Sequence, residues 1–204
     1  NGCTTTCQLY GDDAVDCLQI LEEMPESTTG YYMIDPDGEG GSDPHLTHCD
    51  MDRDGGGWTL VTIHADDDQD TWTYTNRQNF TDTSTFGSLT GEGTTDYKSP
   101  AMAALPMHDL LFVHAPSDIW ASYRGVSDGT ESLAAHIASH GESVNWVPGT
   151  GVALSAGTLT VTGRMCDTQL YFNALDQDGA LSGSGGDGTT YGPVWNAGFN
   201  QSEE

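Results

Sequence analysis

The sequence predicts an α+β domain built from short helices and short strands joined by long, turn-rich connections. Glycine is the first reason: 26 of 204 residues are too many for a helical bundle, since each one inside a helix costs about 1 kcal/mol relative to alanine. The second is periodicity, because helical or alternating apolar spacing runs only briefly before a Gly-, Pro- or Asp-rich turn interrupts it. The third is core size. Hydrophobic residues make up 36% of the chain and aromatic residues 9%, a thin supply, but a chain of this length can still bury a core.

The elements follow in order. Residues 1–12 hold Cys3 and Cys7, a threonine run and no apolar periodicity, and read as a tether. Asp13 is placed to cap a helix over 14–23, with Ala14, Val15, Leu18 and Leu21 on one face and Pro25 as the stop. Residues 31–34 form a short strand ended by Asp35-Pro36-Asp37-Gly38, and a second strand approaches Cys49. After Gly55-Gly56-Gly57, residues 58–64 alternate and are rich in β-branched side chains, which makes a strand. Residues 65–93 read as surface loops pinned by Trp72, Tyr74, Phe80 and Phe86. A helical turn over 102–105, a buried strand over 110–114 and a helix over 132–140 stopped by Gly141 come next. The remainder reads as a hairpin over 152–165 turning near Gly157, a strand over 170–175, and a Gly/Ser/Asp loop from 176 to 191. No repeat or linker divides the chain, so 13–204 is expected to be one domain.

Charge excludes several functions. Thirty-one acidic residues, 22 of them Asp, face Arg53, Arg77, Lys98, Arg124 and Arg164, for a net charge of -26. Nucleic-acid binding rests on Lys and Arg neutralising phosphates and is excluded. Apolar runs such as 110–113 are far too short to span a bilayer, so no membrane insertion is expected. Short Asp side chains in Gly-rich loops suit calcium, and a solvated acidic surface explains the same excess. The five cysteines, Cys3, Cys7, Cys17, Cys49 and Cys166, lack paired zinc-site spacings and read as disulfide formers with one left over. The polar start Asn1-Gly2-Cys3 fits a processed, secreted chain.

Four segments in order, Asp16-Cys17-Leu18-Gln19-Ile20-Leu21, Gly30-Tyr31-Tyr32-Met33-Ile34, Cys49-Asp50-Met51 and Gly55-Gly56-Gly57-Trp58-Thr59-Leu60-Val61, resemble the opening of the fibrinogen-like domain. Val61-Thr62-Ile63-His64, Thr95-Asp96-Tyr97-Lys98-Ser99-Pro100 and Gly163-Arg164-Met165-Cys166-Asp167-Thr168 are similar to its intelectin, or X-type lectin, branch and that branch's bacterial relatives. The resemblance covers roughly 16–65, 93–125 and 163–201. It implies a disulfide-stabilised fold of short helices, a twisted and mostly antiparallel sheet and long Gly/Asp-rich calcium loops. It also implies a Cys17–Cys49 disulfide. Cys3, Cys7 and Cys166 are candidates for inter-chain bridges, with a local bridge among them as the alternative. Related domains continue into a final apolar strand beyond the position of Glu204, so a strand supplied by a neighbouring copy is an expectation too.

Three acidic clusters are weighed for calcium. Asp50, Asp52, Asp54 and Gly55 spell the start of an EF-hand loop, but its twelfth position is Val61 instead of a bidentate Glu, and the family comparison makes the stretch a structural turn. Asp66, Asp67, Asp68 and Asp70 follow the 58–64 strand; Asp66, Asp68 and Asp70 are the candidate ligands, because so many adjacent carboxylates repel unless a cation or water sits among them. Asp167, Asn173, Asp176, Asp178 and Asp187 lie in or beside the Gly-rich loop, followed by Tyr191, Trp195 and Phe199. There a calcium ion with open positions would chelate vicinal sugar hydroxyls while the aromatics form a wall. By the resemblance, Asp167 holds the position of an amide ligand and Phe199 that of one box aromatic. Leu170 stands where the family's histidine ligand is, and no Glu occurs between Glu142 and Glu203, so an Asp such as Asp178 or Asp187 would take the glutamate role.

Catalytic motifs are missing. The chain has no nucleophile elbow and no H-E-x-x-H; His136 and His140 stand four apart on the expected helix but lack a third ligand. Gly183 to Gly188 has no lysine for a phosphate cradle. The sequons at Asn79 and Asn200 would permit N-glycosylation. The sequence therefore reads as a secreted, non-enzymatic, calcium-dependent recognition module whose partners are extracellular glycans. The alternative is a homo-oligomer or polymer of copies of itself, assembling an extracellular filament through a sheet edge and the tether cysteines.

Overall fold

The computed structural model describes residues 14–141 except 66, 70, 73, 90–92 and 116–117, together with the strand segments 152–153, 159–161, 171–173 and 194–196. The 1–12 tether lies outside the described residues.

Helix α1 spans Cys17–Glu23, three residues later than the sequence suggests. Asp16 is its cap instead of Asp13: its Oδ1 accepts the amide of Gln19 at 2.8 Å, and the Gln19 Oε1 accepts the amide of Val15 at 2.9 Å. The two bonds satisfy amides at the helix start that have no partner within the helix. The buried face also differs. Cys17 and Ile20 are fully buried, whereas Val15 and Leu18 are exposed, because the Cys17–Cys49 disulfide, with Cα atoms 5.5 Å apart, turns Cys17 inward.

Strands β1 (Gly30–Ile34), β2 (His45–Asp50) and β3 (Trp58–Thr59) form an antiparallel sheet in the order β1-β2-β3. Gly30 pairs with Cys49 and Ile34 with His45. The single strand expected over 58–64 is broken at Leu60–Val61: β3 pairs with β2, whereas β4 (Thr62–Ile63) pairs with β5 (Tyr97–Lys98). The amide of Leu60 still reaches His48 O, while Val61 O accepts from Ser99, so the chain changes sheets within two residues.

Helix α2 (Ala101–Ala104) joins two cores. Ala101 packs with Cys17, Ile20, Tyr32, Ile34 and Cys49. Met102 packs with Phe80, Leu110, Tyr123, Leu133 and Ile137, and Val61 touches both groups. The loop aromatics Phe80 and Trp72 do pin 65–93 to this second core, but through 3-10 turns at Tyr74–Phe80. Lys98 is fully buried, and its Nζ donates to Asp82 O at 2.8 Å and to Asp82 Oδ1 at 2.7 Å.

Strand β6 (Leu110–His114) is as the sequence predicts; its partner β7 (Ile119–Tyr123) was not foreseen. Helix α3 covers Leu133–Gly141. The expected hairpin over 152–165 is not one: β8 (Val152–Ala153) pairs with β10 (Tyr171–Asn173), and β9 (Leu159–Val161) with β7. Strand β11 (Val194–Asn196) lies parallel to β10. Short helices, small and mainly antiparallel sheets and the Cys17–Cys49 disulfide therefore stand; one parallel pair is the addition.

Candidate functional site

The loop between β2 and β3 holds the first acidic motif. Gly55, Gly56 and Gly57 all have positive φ, and a Cβ on Gly56 would lie 2.2 Å from Met51 O while one on Gly57 would press into Leu18. Glycine is thus required for the turn to fit beneath α1. Asp54 is itself left-handed, at φ 43°, which aims its carboxylate at β7. There its Oδ2 accepts from the Ser122 hydroxyl and from Arg124 Nε (3.0 Å) and Nη2 (2.9 Å), and Arg124 Nη1 reaches Asp109 Oδ2 at 2.8 Å. The same guanidinium lies 4.5 Å over the Trp58 ring. Asp50 accepts the amides of Asp52 and Arg53 and, with Asp118, the Arg53 guanidinium. Asp52 accepts the Thr29 hydroxyl.

A calcium loop needs its carboxylates directed at one ion and supplies about six to eight oxygens. Here two guanidinium groups already neutralise Asp50 and Asp54, and Asp52 turns to Thr29, so these residues do not fit calcium. They are an ionic joint between the disulfide-bonded subdomain and the β6–β7 sheet. The bond from Ser122 and the Arg124 charge hold the Asp54 carboxyl below its ordinary range. Burial raises the Asp50 carboxyl, but the Arg53 amide and guanidinium outweigh it and leave it lowered.

In the second cluster Asp67 accepts the amides of Gln69 (3.0 Å) and Asp96 (3.1 Å), and Asp96 Oδ1 accepts the amide of Ala65 at 2.9 Å. Asp68 is exposed at φ 60°, and Asp66 and Asp70 lie outside the described residues. Beside this loop His64 stacks on Trp72, with centroids 4.4 Å apart and planes within 6°. Desolvation by the surrounding protein pushes the His64 imidazole below its ordinary value.

In the third cluster the described backbone gives a register. Phe172 pairs with Trp195 and Asn173 with Asn196 across the parallel β10–β11 pair. Asp167, Asp176, Asp178, Asp187, Tyr191 and Phe199 lie outside the described residues, as do Cys3, Cys7 and Cys166. No group of three or more His, Cys, Asp or Glu that could hold a metal is found among the described residues.

His45, His48 and His136 are engaged within the fold. His136 is buried with Nδ1 2.5 Å from Glu131 Oε1. His45 Nε2 lies 3.3 Å from Ser99 Oγ. Ser99 is fully buried, which bars that pair from nucleophilic attack on an external substrate. Burial depresses His45 and His48, with nearby carboxylates opposing it. The Asn79 Nδ2 donates to Thr71 O at 2.8 Å and the next residue, Phe80, is fully buried, so this sequon is built into the folded loop.

Both kinds of shift give the same sign. A neutral buried histidine and a paired aspartate each bind fewer protons folded than unfolded, so stability falls as pH falls. We expect urea-unfolding stability to decline first below about pH 6.5, as unfolded histidines protonate, and again below about pH 4, as Asp50 and Asp54 do. Stability independent of pH between about 7 and 4 would contradict these assignments.

Residues 14–93 match the family model for the C-terminal globular domain of fibrinogen β and γ chains. That segment is fibrinogen-like. It contains α1, the β1-β2-β3 sheet, the disulfide and the ionic joint's acidic loop. A fibrinogen α-2 chain from Petromyzon marinus is 40% identical over 53 residues, covering 26% of this chain and 8% of that one. The fibrinogen β chain of Bos taurus is 34% identical over 64 residues, covering 31% and 13%. Veficolin-1 of Varanus komodoensis is 38% identical over 61 residues, covering 30% and 26%. The alignments thus span about a quarter or less of these relatives. Among solved structures, the fibrinogen-like globe domain of human ANGPTL6 matches 60% of this chain and 52% of its own, at 20% identity and a TM-score of 0.37.

Sequence reasoning did not foresee Arg53, Arg124 and Trp58 as partners of the acidic loop. The available signal was scarcity: with five basic residues against 31 acidic ones, each cation is a strong candidate for an internal ion pair.

Proposed function

We propose that the protein is a secreted, non-enzymatic recognition module of intelectin type that binds extracellular carbohydrate with calcium. Asp167, Asn173, Asp176, Asp178 and Asp187 would supply oxygen ligands, and Tyr191, Trp195 and Phe199 the wall against the sugar's apolar face. Calcium would contribute open coordination positions for vicinal hydroxyls. The observation that carries the reading is the parallel β10–β11 pair, which makes Asn173 and Trp195 members of adjacent register pairs in one sheet. The fibrinogen-like match, including Veficolin-1, supports recognition over catalysis. On a panel of immobilised glycans in millimolar calcium, we expect retention that a chelator abolishes and that Asp178→Ala with Asp187→Ala removes. Retention unchanged by both would refute it.

The second reading is a self-assembling extracellular subunit, joined through a sheet edge and by Cys3, Cys7 or Cys166. The place of β1 at the end of the β1-β2-β3 order favours it. Long polymers in negative-stain images of the native protein, dispersed by reductant, would establish it over the first.

A further inference from the structure

The loop between β1 and β2 begins and ends with an Asp–Pro bond, Asp35–Pro36 and Asp43–Pro44. Such a bond is open to attack from within: the aspartate carboxylate reaches its own carbonyl carbon through a five-membered ring, and proline leaves as a secondary amine. Nucleophile and carbonyl share one residue, so the fold has to supply only a free carboxylate and an acid for the departing nitrogen.

The structure treats the two bonds differently. Asp35 is buried, and one amide, that of Gly38, holds both its Oδ1 (3.1 Å) and its backbone O (3.2 Å). That carboxylate is committed to the turn, and the residue after its proline, Asp37, accepts the Ser42 amide at 2.9 Å and is no acid. Asp43 is exposed, and its carboxylate accepts no hydrogen bond among the described residues. The residue after its proline is His45. It pairs with Ile34 on the rung next to the loop, and its Nε2 lies 3.3 Å from Ser99 Oγ. That oxygen already accepts the Ala101 amide at 3.1 Å, which leaves the hydroxyl to donate to Nε2 and puts the neutral ring's proton on Nδ1, at the end of the ring nearer the backbone. Burial disfavours the imidazolium, and the carboxylates of Asp35 and Asp37 oppose that effect.

We propose that the protein cleaves its own chain between Asp43 and Pro44, with His45 as the acid. An Asp43 carboxylate oxygen bonds to the Asp43 carbonyl carbon. The carbon–nitrogen bond breaks, and its electron pair takes the proton that the His45 imidazolium holds on Nδ1. This step yields a cyclic anhydride at Asp43, the secondary amine of Pro44 and a neutral His45. Water then opens the anhydride to two carboxyl groups, so the net change is one water added across the peptide bond. Cys17 and Cys49 lie on opposite sides of the cut, and their disulfide keeps residues 1–43 and 44–204 joined.

The test holds the whole protein at about pH 5.5, between the ordinary ranges of carboxylate and imidazole, and samples it over days by intact mass and on reducing gels. We expect a gain of one water in the unreduced mass, two fragments after reduction, and the amino-terminal sequence Pro-His-Leu-Thr on the larger one. Asp43→Ala should abolish the cut. His45→Gln should slow it roughly tenfold or more, and in the wild type the rate should fall as the pH is raised through neutrality and His45 loses its proton. A control that needs no substitution is the reduced wild type in urea, where the rate should drop to that of the free peptide Gly-Ser-Asp-Pro-His-Leu-Thr. Absence of fragments, or equal rates in the folded protein and in urea, would overturn the proposal. An unchanged rate in His45→Gln, or equal cleavage at Asp35–Pro36, would overturn the role given to His45.

Discussion

Replacing Cys17 and Cys49 together by alanine is expected to lower unfolding stability by about 3 to 5 kcal/mol. The bridge closes a sequence separation of 32, and in the chain-entropy account such a loop alone contributes about 3 to 4 kcal/mol. The rest comes from packing, since both residues are completely buried against Ile20, Tyr32 and Ile34. Urea denaturation read by tryptophan fluorescence gives the value. The single replacements Cys17→Ala and Cys49→Ala should each lose nearly as much, because either one opens the same loop. A loss below about 1 kcal/mol for the pair would mean that this bridge does not constrain the unfolded chain as supposed.

Arg124→Ala is expected to cost about 2 to 3 kcal/mol, a range already reduced for the partial exposure of the ion pairs. It removes the bonds to Asp54 and Asp109 and the contact over Trp58, and it leaves two carboxylates near each other without their shared cation. Arg124→Lys should recover little, because one ammonium cannot reproduce a planar fork that bonds two carboxylates and covers an indole face. A double-mutant cycle with Asp54→Asn should show a coupling of about 1 kcal/mol or more. Additivity within about 0.3 kcal/mol would show that the joint contributes nothing as a unit.

Much of the first half of the fold was legible in local chemistry. Asp35-Pro36-Asp37-Gly38 ends β1, Pro25 follows α1, and the short apolar run at 110–113 gives the buried strand β6. The errors came from long-range partners. Asp16 caps α1 in place of the expected Asp13, and Gln19 stands where its side chain can reach back to Val15. The even alternation of 58–64 gave no sign that β3 and β4 serve different sheets, since that depends on Ser99 reaching Val61. Likewise, β8 and β9 looked like hairpin partners by proximity, but each finds another strand. The D-x-D-x-D-G motif misleads as a calcium signal because carboxylate spacing is the same whether the counter-charge is an ion or Arg124, 70 residues away in sequence. Of the candidate glycan residues, Asn173 and Trp195 fall within described strands, whose pairing no local pattern announced.

The 50–55 loop is an arginine-neutralised joint, and the calcium proposed for this chain is assigned to the later Asp-rich segment. Calorimetric titration with calcium of the wild type, Asp52→Asn, and the combined Asp176→Asn, Asp178→Asn and Asp187→Asn protein tests it directly. Asp52 would be a ligand in an EF-hand reading, yet its present bond is to the Thr29 hydroxyl, so Asp52→Asn should leave the fold intact. The account predicts a calcium-binding isotherm that Asp52→Asn leaves unchanged and the triple replacement abolishes. An isotherm lost with Asp52→Asn and retained in the triple replacement would contradict it.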